Sequence, residues 1–156
     1  MKIKKTISNL AIYAGIFTLS YVSLTTLMPS IAFAQNTKVT QCDLVINIAN
    51  EAVTATQSAT SDEGEDELQA LLTATNLIDE AANDMANLPL NDDTLNGYRQ
   101  EFIAMYRQTS LMTRRFIDAF TAENREAAFA ALDGLQVATE VEDRLVTELN
   151  RYCDRT

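Results

Sequence analysis

LNGYRQEFIAMYRQTSLMTRRFIDAF, residues 95–120, is the segment that decides the fold. Its apolar residues recur at alternating steps of three and four, the spacing that places side chains in one stripe along an α-helix. A helix with so wide an apolar face has to bury it against other helices, so the segment predicts an all-α domain. The stripe consists of Leu95, Tyr98, Phe102, Met105, Thr109, Met112, Phe116 and Ala119.

Three other segments show the same helical periodicity, and we predict helices over residues 42–58, 65–87 and 123–152. Pro89 ends the second of them, because the residue before a proline avoids the helical conformation. Four helices joined by short connections favour an up-down-up-down four-helix bundle. The predicted apolar face of the last helix consists of Ala128, Ala131, Leu132, Leu135, Ala138, Val141, Leu145, Leu149 and Tyr152.

The first 34 residues have the pattern of a secretory signal peptide. Three lysines near the start are followed by an apolar run over residues 10–28, and residues 32–34, Ala-Phe-Ala, supply the small residues of a cleavage site. We predict cleavage before Gln35, which leaves residues 35–156 as the four-helix domain in an extracytoplasmic compartment (periplasmic, lumenal or secreted). The alternative is an uncleaved membrane anchor, since about 20 apolar residues suffice to span a bilayer.

The predicted mature protein is strongly acidic. The full chain has 12 Lys and Arg and 22 Asp and Glu residues. Cleavage removes three lysines and no acid, which leaves a formal net charge of about −13. Such a surface repels nucleic acid and anionic lipid and favours cationic partners. We therefore expect the protein to bind another protein, whose identity is unknown. We do not expect it to bind nucleic acid, or to contact a membrane once the signal peptide is cleaved.

The two cysteines, Cys42 and Cys153, lie near the two ends of the predicted domain. In an exported protein an even pair indicates a disulfide bond. An up-down-up-down bundle of four helices brings the start of the first helix and the end of the last to the same end. A bridge needs Cα atoms within about 7 Å. Three or five helices would separate the thiols, so the predicted disulfide and the predicted helix number support each other.

The sequence lacks the residues of common catalytic sites. It contains no histidine, which excludes the Ser-His-Asp triad, the Cys-His pair and the His-containing di-iron site of helical bundles. No phosphate-binding loop or dinucleotide-binding motif is present either. We therefore predict that the protein is not an enzyme, and we assign no catalytic residue and no cofactor.

Two features suggest a carrier of a small ligand or cation as the alternative function. The acidic segment at residues 62–67 offers carboxylate oxygens, which Ca²⁺ prefers, but its spacing departs from that of an EF-hand loop. Met85, Met105 and Met112 would line an apolar cavity, although methionines more often fill gaps in a core. We interpret the acidic segment as a solvated loop and predict no metal site.

The third helix carries a candidate interaction patch. Arg99, Arg107 and Arg114 lie near one side of it, and Tyr106 flanks them. Arginine and tyrosine are enriched in protein interfaces, so these four residues are a candidate patch for an acidic or aromatic partner. We favour the alternative, in which the arginines pair with Asp and Glu side chains on neighbouring helices, because the rest of the surface is so acidic.

The overall layout resembles that of small uncharacterised exported helical proteins of cyanobacteria. The resemblance lies in an acidic helical bundle with a cysteine near each end and a final Tyr152-Cys153, and it implies a periplasmic or lumenal location. In architecture the bundle is also similar to the four-helix extrinsic subunits of photosystem II. From the residues and this resemblance we predict an exported, non-enzymatic binding or protein-interaction module.

Overall fold

The computed structural model describes residues 37–60 and 66–154, and it confirms an all-α, up-down-up-down arrangement of four helices. Consecutive helices pack side by side. The predicted signal peptide and its anchor alternative lie outside the described residues. Within the described residues, no helix combines the length and the hydropathy needed to cross a bilayer. The helices are α1 (Lys38–Thr60), α2 (Glu67–Ala86), α3 (Asp93–Thr121) and α4 (Arg125–Cys153).

Polar side chains start three of the helices. Asp66, Asp92 and Asn124 each accept a hydrogen bond from a backbone N–H of the first turn, at the start of α2, α3 and α4 respectively. These bonds satisfy donors that have no partner within the helix. The connection between α3 and α4 is only residues 122–124, and so short a connection makes the two helices antiparallel neighbours.

The disulfide bond confirms the prediction from the cysteine positions. Cys42 of α1 and Cys153 of α4 are bonded, and their Cα atoms lie 5.9 Å apart. We call the part of the bundle around this bond the disulfide half, and the part around the α3–α4 turn the distal half.

A polar clamp reinforces the disulfide half. Gln41 is 2% exposed, and its side-chain oxygen accepts hydrogen bonds from the backbone N–H groups of Asn91 and Asp92. The Lys38 ammonium donates to the carbonyl oxygen of Tyr152 at 2.7 Å and lies 3.8 Å from the centre of its ring. Tyr152 in turn donates to a carboxylate oxygen of Asp92 at 2.8 Å. These bonds tie the start of α1 to the α2–α3 connection and to the end of α4.

The apolar core lies mainly in the disulfide half and takes large side chains from all four helices. Phe102 and Met85 are examples, at 1% and 0% exposed. Burial of such side chains is the main source of stability of the fold. The other members are Cys42, Val45, Ile46, Ala49, Ala52, Ala81, Ala82, Leu95, Met105, Tyr106, Leu145 and Leu149.

The distal half buries mostly small or polar residues. In this half α4 packs on α3, while α1 contacts α3 and α4 only sparsely along the bundle. Gly134 allows the close approach of α4, because a Cβ there would lie 2.6 Å from the sulfur of Met112. Less apolar area is buried here, so the distal half is held less strongly. Its buried residues are Ala70, Ala74, Thr75, Ser110, Met112, Thr113, Ile117, Ala119, Ala131 and Ala138.

Candidate binding surface

The arginines of the predicted interaction patch lie along the contact between α2 and α3. Arg99 donates a hydrogen bond to the carbonyl oxygen of Leu88 at 2.9 Å. Arg114 forms an ion pair with Asp79 of α2 at 2.8 Å. Burial raises the pKa of Asp79, but hydrogen bonds from Ser110 and Arg114 and the charges of Arg114 and Arg107 outweigh it and lower the pKa. Arg114 thus pairs with an acidic residue of a neighbouring helix, as in the alternative, whereas Arg99 binds a backbone carbonyl oxygen between α2 and α3.

Tyr106, the fourth residue of the predicted patch, lies inside the core. It is 7% exposed, and its ring centre lies 6.0 Å from that of Phe102. Burial, and next the charge of Glu142, raise its pKa. Arg107 is exposed. The four residues therefore do not form one exposed patch. Tyr106 is buried, Arg99 and Arg114 are bonded to other residues of the chain, and Arg107 is exposed. Their role in binding a partner stays a prediction.

Glu142 of α4 is a half-buried carboxyl group near Tyr106. Burial, and next the charge of Asp143, raise its pKa above the ordinary value of 4.5. The folded protein thus binds a proton at Glu142 more tightly than the unfolded chain does. The contribution of this group to stability grows as the pH falls through the folded-state pKa and is complete below 4.5.

We expect Glu142→Gln to raise the free energy of unfolding at pH 7, because the substitution removes a charge that is poorly solvated in the folded state. The gain over the wild type shrinks as the pH approaches 4.5. Urea unfolding of both proteins across this pH range measures the effect. Glu140→Gln, at an exposed position on the same helix, is the matched control and should change the stability little. A difference between Glu142→Gln and the wild type that is constant with pH would contradict the assignment.

Large apolar side chains are exposed together at the distal end of the bundle. Phe129 is 67% exposed, Phe120 is 58% exposed and Leu132 is 42% exposed. Phe129 and Leu132 are three residues apart on α4 and therefore neighbours on its surface. Together with the half-buried Leu68 at the start of α2, we call these residues the distal apolar surface.

A cavity of about 540 Å³ joins parts of the distal apolar surface. Leu68 and Phe120 line it from α2 and α3, and Arg125 and Ala128 line it from the first turn of α4. Phe129 and Leu132 are not among its lining residues. The remaining lining residues are Ala119, Thr121, Glu123 and Asn124.

A second cavity of about 460 Å³ lies in the groove between α3 and α4. It shares Ala119 and Asn124 with the first cavity, so the two openings adjoin around the α3–α4 turn. Most of its lining is alanine. Leu111 and Val137, which are 44% and 59% exposed, add apolar area on these two helices. Among the residues that the structure describes, most of the large exposed apolar side chains therefore lie on α3 and α4.

Glu123 in the α3–α4 turn has a strained backbone. Its φ is +54°, the left-handed conformation that helices often adopt after their last residue, usually with glycine. A residue with a Cβ costs about 1 kcal/mol or more there. The chain carries a glutamate at this position, and the glutamate lines the larger cavity. The strain therefore lies at the rim of the larger cavity, in the turn that reverses the chain between α3 and α4.

The two features behind the carrier alternative have different outcomes. Of the acidic segment, residues 62–65 lie outside the described residues. Among the described residues no group of Asp, Glu or Cys side chains is arranged to hold a metal ion. Met85, Met105 and Met112 are each 7% exposed or less, and the first two belong to the core of the disulfide half.

Sequence reasoning missed the distal apolar surface, although one feature of the sequence indicated it. Leu132 was expected on the buried face of α4, but it is exposed because α1 contacts α4 only sparsely. Phe129 falls outside the predicted apolar stripe of α4. A phenylalanine away from the core stripe is the feature that could have pointed to a binding surface. Comparisons with protein-family models, with curated proteins and with solved structures gave no match for this chain.

Proposed function

We propose that the protein acts outside the cytoplasm as a non-enzymatic protein-interaction module that binds its partner through the distal apolar surface. The observation that carries the proposal is the joint exposure of Phe120, Phe129 and Leu132 at the end opposite the disulfide bond. A disulfide bond is typical of exported proteins, since reducing conditions in the cytoplasm prevent its formation. Exposed apolar residues grouped at one end of a protein mark interaction sites.

The division of the bundle into two halves supports this role. The disulfide half has a large-residue core, a covalent bond between α1 and α4, and the polar clamp. The distal half has a core of small residues and exposed rings. A binding region that adapts to a partner needs a rigid support, and surfaces that move on binding come from the less stable part of a fold.

A carrier of a small apolar ligand is the second candidate, and the larger cavity favours it. Its volume of about 540 Å³ falls within the usual range for ligand pockets. A ligand would contact Leu68 and Phe120 there but would leave Phe129 exposed. Calorimetry with a panel of fatty acids and other apolar ligands separates the two candidates, because a protein-interaction module should show no saturable heat.

The proposed function is tested by placing a photo-crosslinking amino acid at position 129 in the protein produced in its native host. We expect irradiation to yield a discrete crosslinked protein, because Phe129 is the most exposed ring of the distal apolar surface. Position 39 is the matched control, since Val39 is also apolar and 52% exposed but lies in the disulfide half. Adducts that are absent at position 129, or identical at both positions, would overturn the proposal.

A further inference from the structure

We infer that the partner of the distal apolar surface is a cationic amphipathic helix, which docks on the exposed side of α4 around Phe129 and Leu132. This inference rests on the proposed function and names the class of its partner. It is carried by the exposure of this side of α4, by the spacing of the exposed apolar residues and by the charges around them.

The exposed side of α4 can receive a helix. Ala131 and Ala138 of α4 are buried, and Phe129, two residues before Ala131, lies about 160° away from it around the helix. Phe129 therefore faces solvent on the side of α4 away from the bundle, and Leu132 is its neighbour on the surface of α4. A helix laid along this side would bury both side chains.

The spacing of the apolar residues fits the apolar face of such a helix. Phe129 and Leu132 form a short stripe on α4, and Phe120 and Leu68 line the nearby cavity from α3 and α2. Amphipathic helices bind in grooves of this kind through apolar anchors at i, i+3, i+4 and i+7. The cavity of about 540 Å³ has room for anchor side chains of the partner.

The charges around the surface favour a cationic partner. Glu126 and Asp133 lie three residues before and four residues after Phe129, and Arg125 lies four residues before it, so two carboxylates and one guanidinium flank Phe129 on the exposed side of α4. Glu123 lines the cavity, and Arg125 is the single basic residue in its lining. The ion pairs among the described residues involve Arg114 and Arg144, and none of them includes Glu123, Glu126 or Asp133. These three carboxylates are therefore available to lysine or arginine side chains.

A second copy of this chain fits the surface less well. The chain has a formal net charge of −10, and the same carboxylates would face one another across a symmetric contact. Like charges placed together in an interface oppose association. A cationic helix removes this repulsion and also gains attraction from the acidic chain as a whole.

The inference is tested with a synthetic peptide of leucine and lysine, about 18 residues long, with leucines at helical spacing. Two control peptides separate its properties: one has the same composition in scrambled order, and one has glutamate in place of lysine. Binding to the oxidised mature protein is followed by fluorescence anisotropy. We expect the amphipathic cationic peptide to bind at least about tenfold more tightly than either control, and to bind more weakly as salt is added.

Protein variants then locate the site. Phe129→Ser should weaken binding of the cationic peptide at least about tenfold, because it removes an apolar anchor point. Val39→Ser, at the exposed position in the disulfide half, should leave binding unchanged. Glu123→Gly should weaken binding about threefold while raising the melting temperature, because it removes a rim charge and also the backbone strain. A structural role alone would not lower affinity in a variant that gains stability.

Several outcomes would overturn the inference. Equal binding of the scrambled peptide would show attraction by net charge alone, and equal binding of the glutamate peptide would show that the partner is not selected by charge. If Phe129→Ser leaves the affinity for the peptide unchanged, the peptide binds elsewhere on the protein. If sedimentation shows dimers of the wild type that Phe129→Ser abolishes, the occupant of the surface is a second copy of the chain. If position 129 crosslinks a protein but the cationic peptide shows no preference, the partner class is wrong and the proposed function stands.

Discussion

Replacing both Cys42 and Cys153 by serine is expected to lower the free energy of unfolding by roughly 4–5 kcal/mol. The two residues are 111 positions apart, so the bond closes a long loop and strongly restricts the unfolded chain. The folded structure adds a second reason, because α1 contacts α4 only sparsely and the disulfide is their main connection. Since typical domains are stable by about 5–15 kcal/mol, the variant is expected to be close to unfolding.

Urea unfolding followed by circular dichroism measures this loss. The pair Cys42→Ala and Cys153→Ala is the control for the hydroxyl groups, because Cys42 is buried and a serine there would also bury a polar atom. Both double variants should lose similar amounts of stability. A loss below about 1 kcal/mol in both would show that the core and the polar clamp hold α1 and α4 together without the covalent bond.

Phe102→Ala is expected to destabilise the protein by about 3–5 kcal/mol. Phe102 is 1% exposed, and it lies in the core that joins all four helices in the disulfide half. Removing its ring leaves a cavity that the surrounding side chains fill only in part. The change in the urea midpoint, at unchanged dependence on urea concentration, measures the effect.

Phe129→Ala is the matched control, since the same ring is removed at a position that is 67% exposed. We expect a change of about 0.5 kcal/mol or less. Similar losses in the two variants would mean that Phe129 is packed against the bundle, which would remove the basis of the proposed binding surface. The comparison therefore tests both the location of the core and the availability of the distal apolar surface.

The two halves of the bundle differ in the interactions that hold them together. In the disulfide half, large apolar residues, a covalent bond and buried hydrogen bonds act together. In the distal half, mostly alanine and threonine lie at the contacts between helices, and the rings of Phe120 and Phe129 face solvent. A partner helix would supply the apolar contacts that this half lacks, so binding and local stabilisation are expected to be coupled.

Much of the fold could be predicted because its determinants are local or simply geometric. The 3–4 spacing in residues 95–120 predicted α3, and Pro89 predicted the end of α2. The positions of Cys42 and Cys153 predicted an even number of helices, and the disulfide bond agrees. The predicted arginine patch shows the limit of this reasoning. Periodicity places arginines on one side of a helix, but it does not show whether Asp79 of another helix pairs with one of them.

The amino-acid sequence was sufficient for the helices, their order and the partners of the two cysteines. Helical periodicity and capping act between residues a few positions apart, and the disulfide follows from the number of chain reversals. Which faces of those helices are covered depends on distances between helices that are remote in the chain. The exposure of Leu132 on a face expected to be buried therefore emerged only from the tertiary structure, whereas the position of Phe129 outside the apolar stripe is already visible in the sequence. The physical reason is that α1 leaves the distal part of α4 packed against α3 alone.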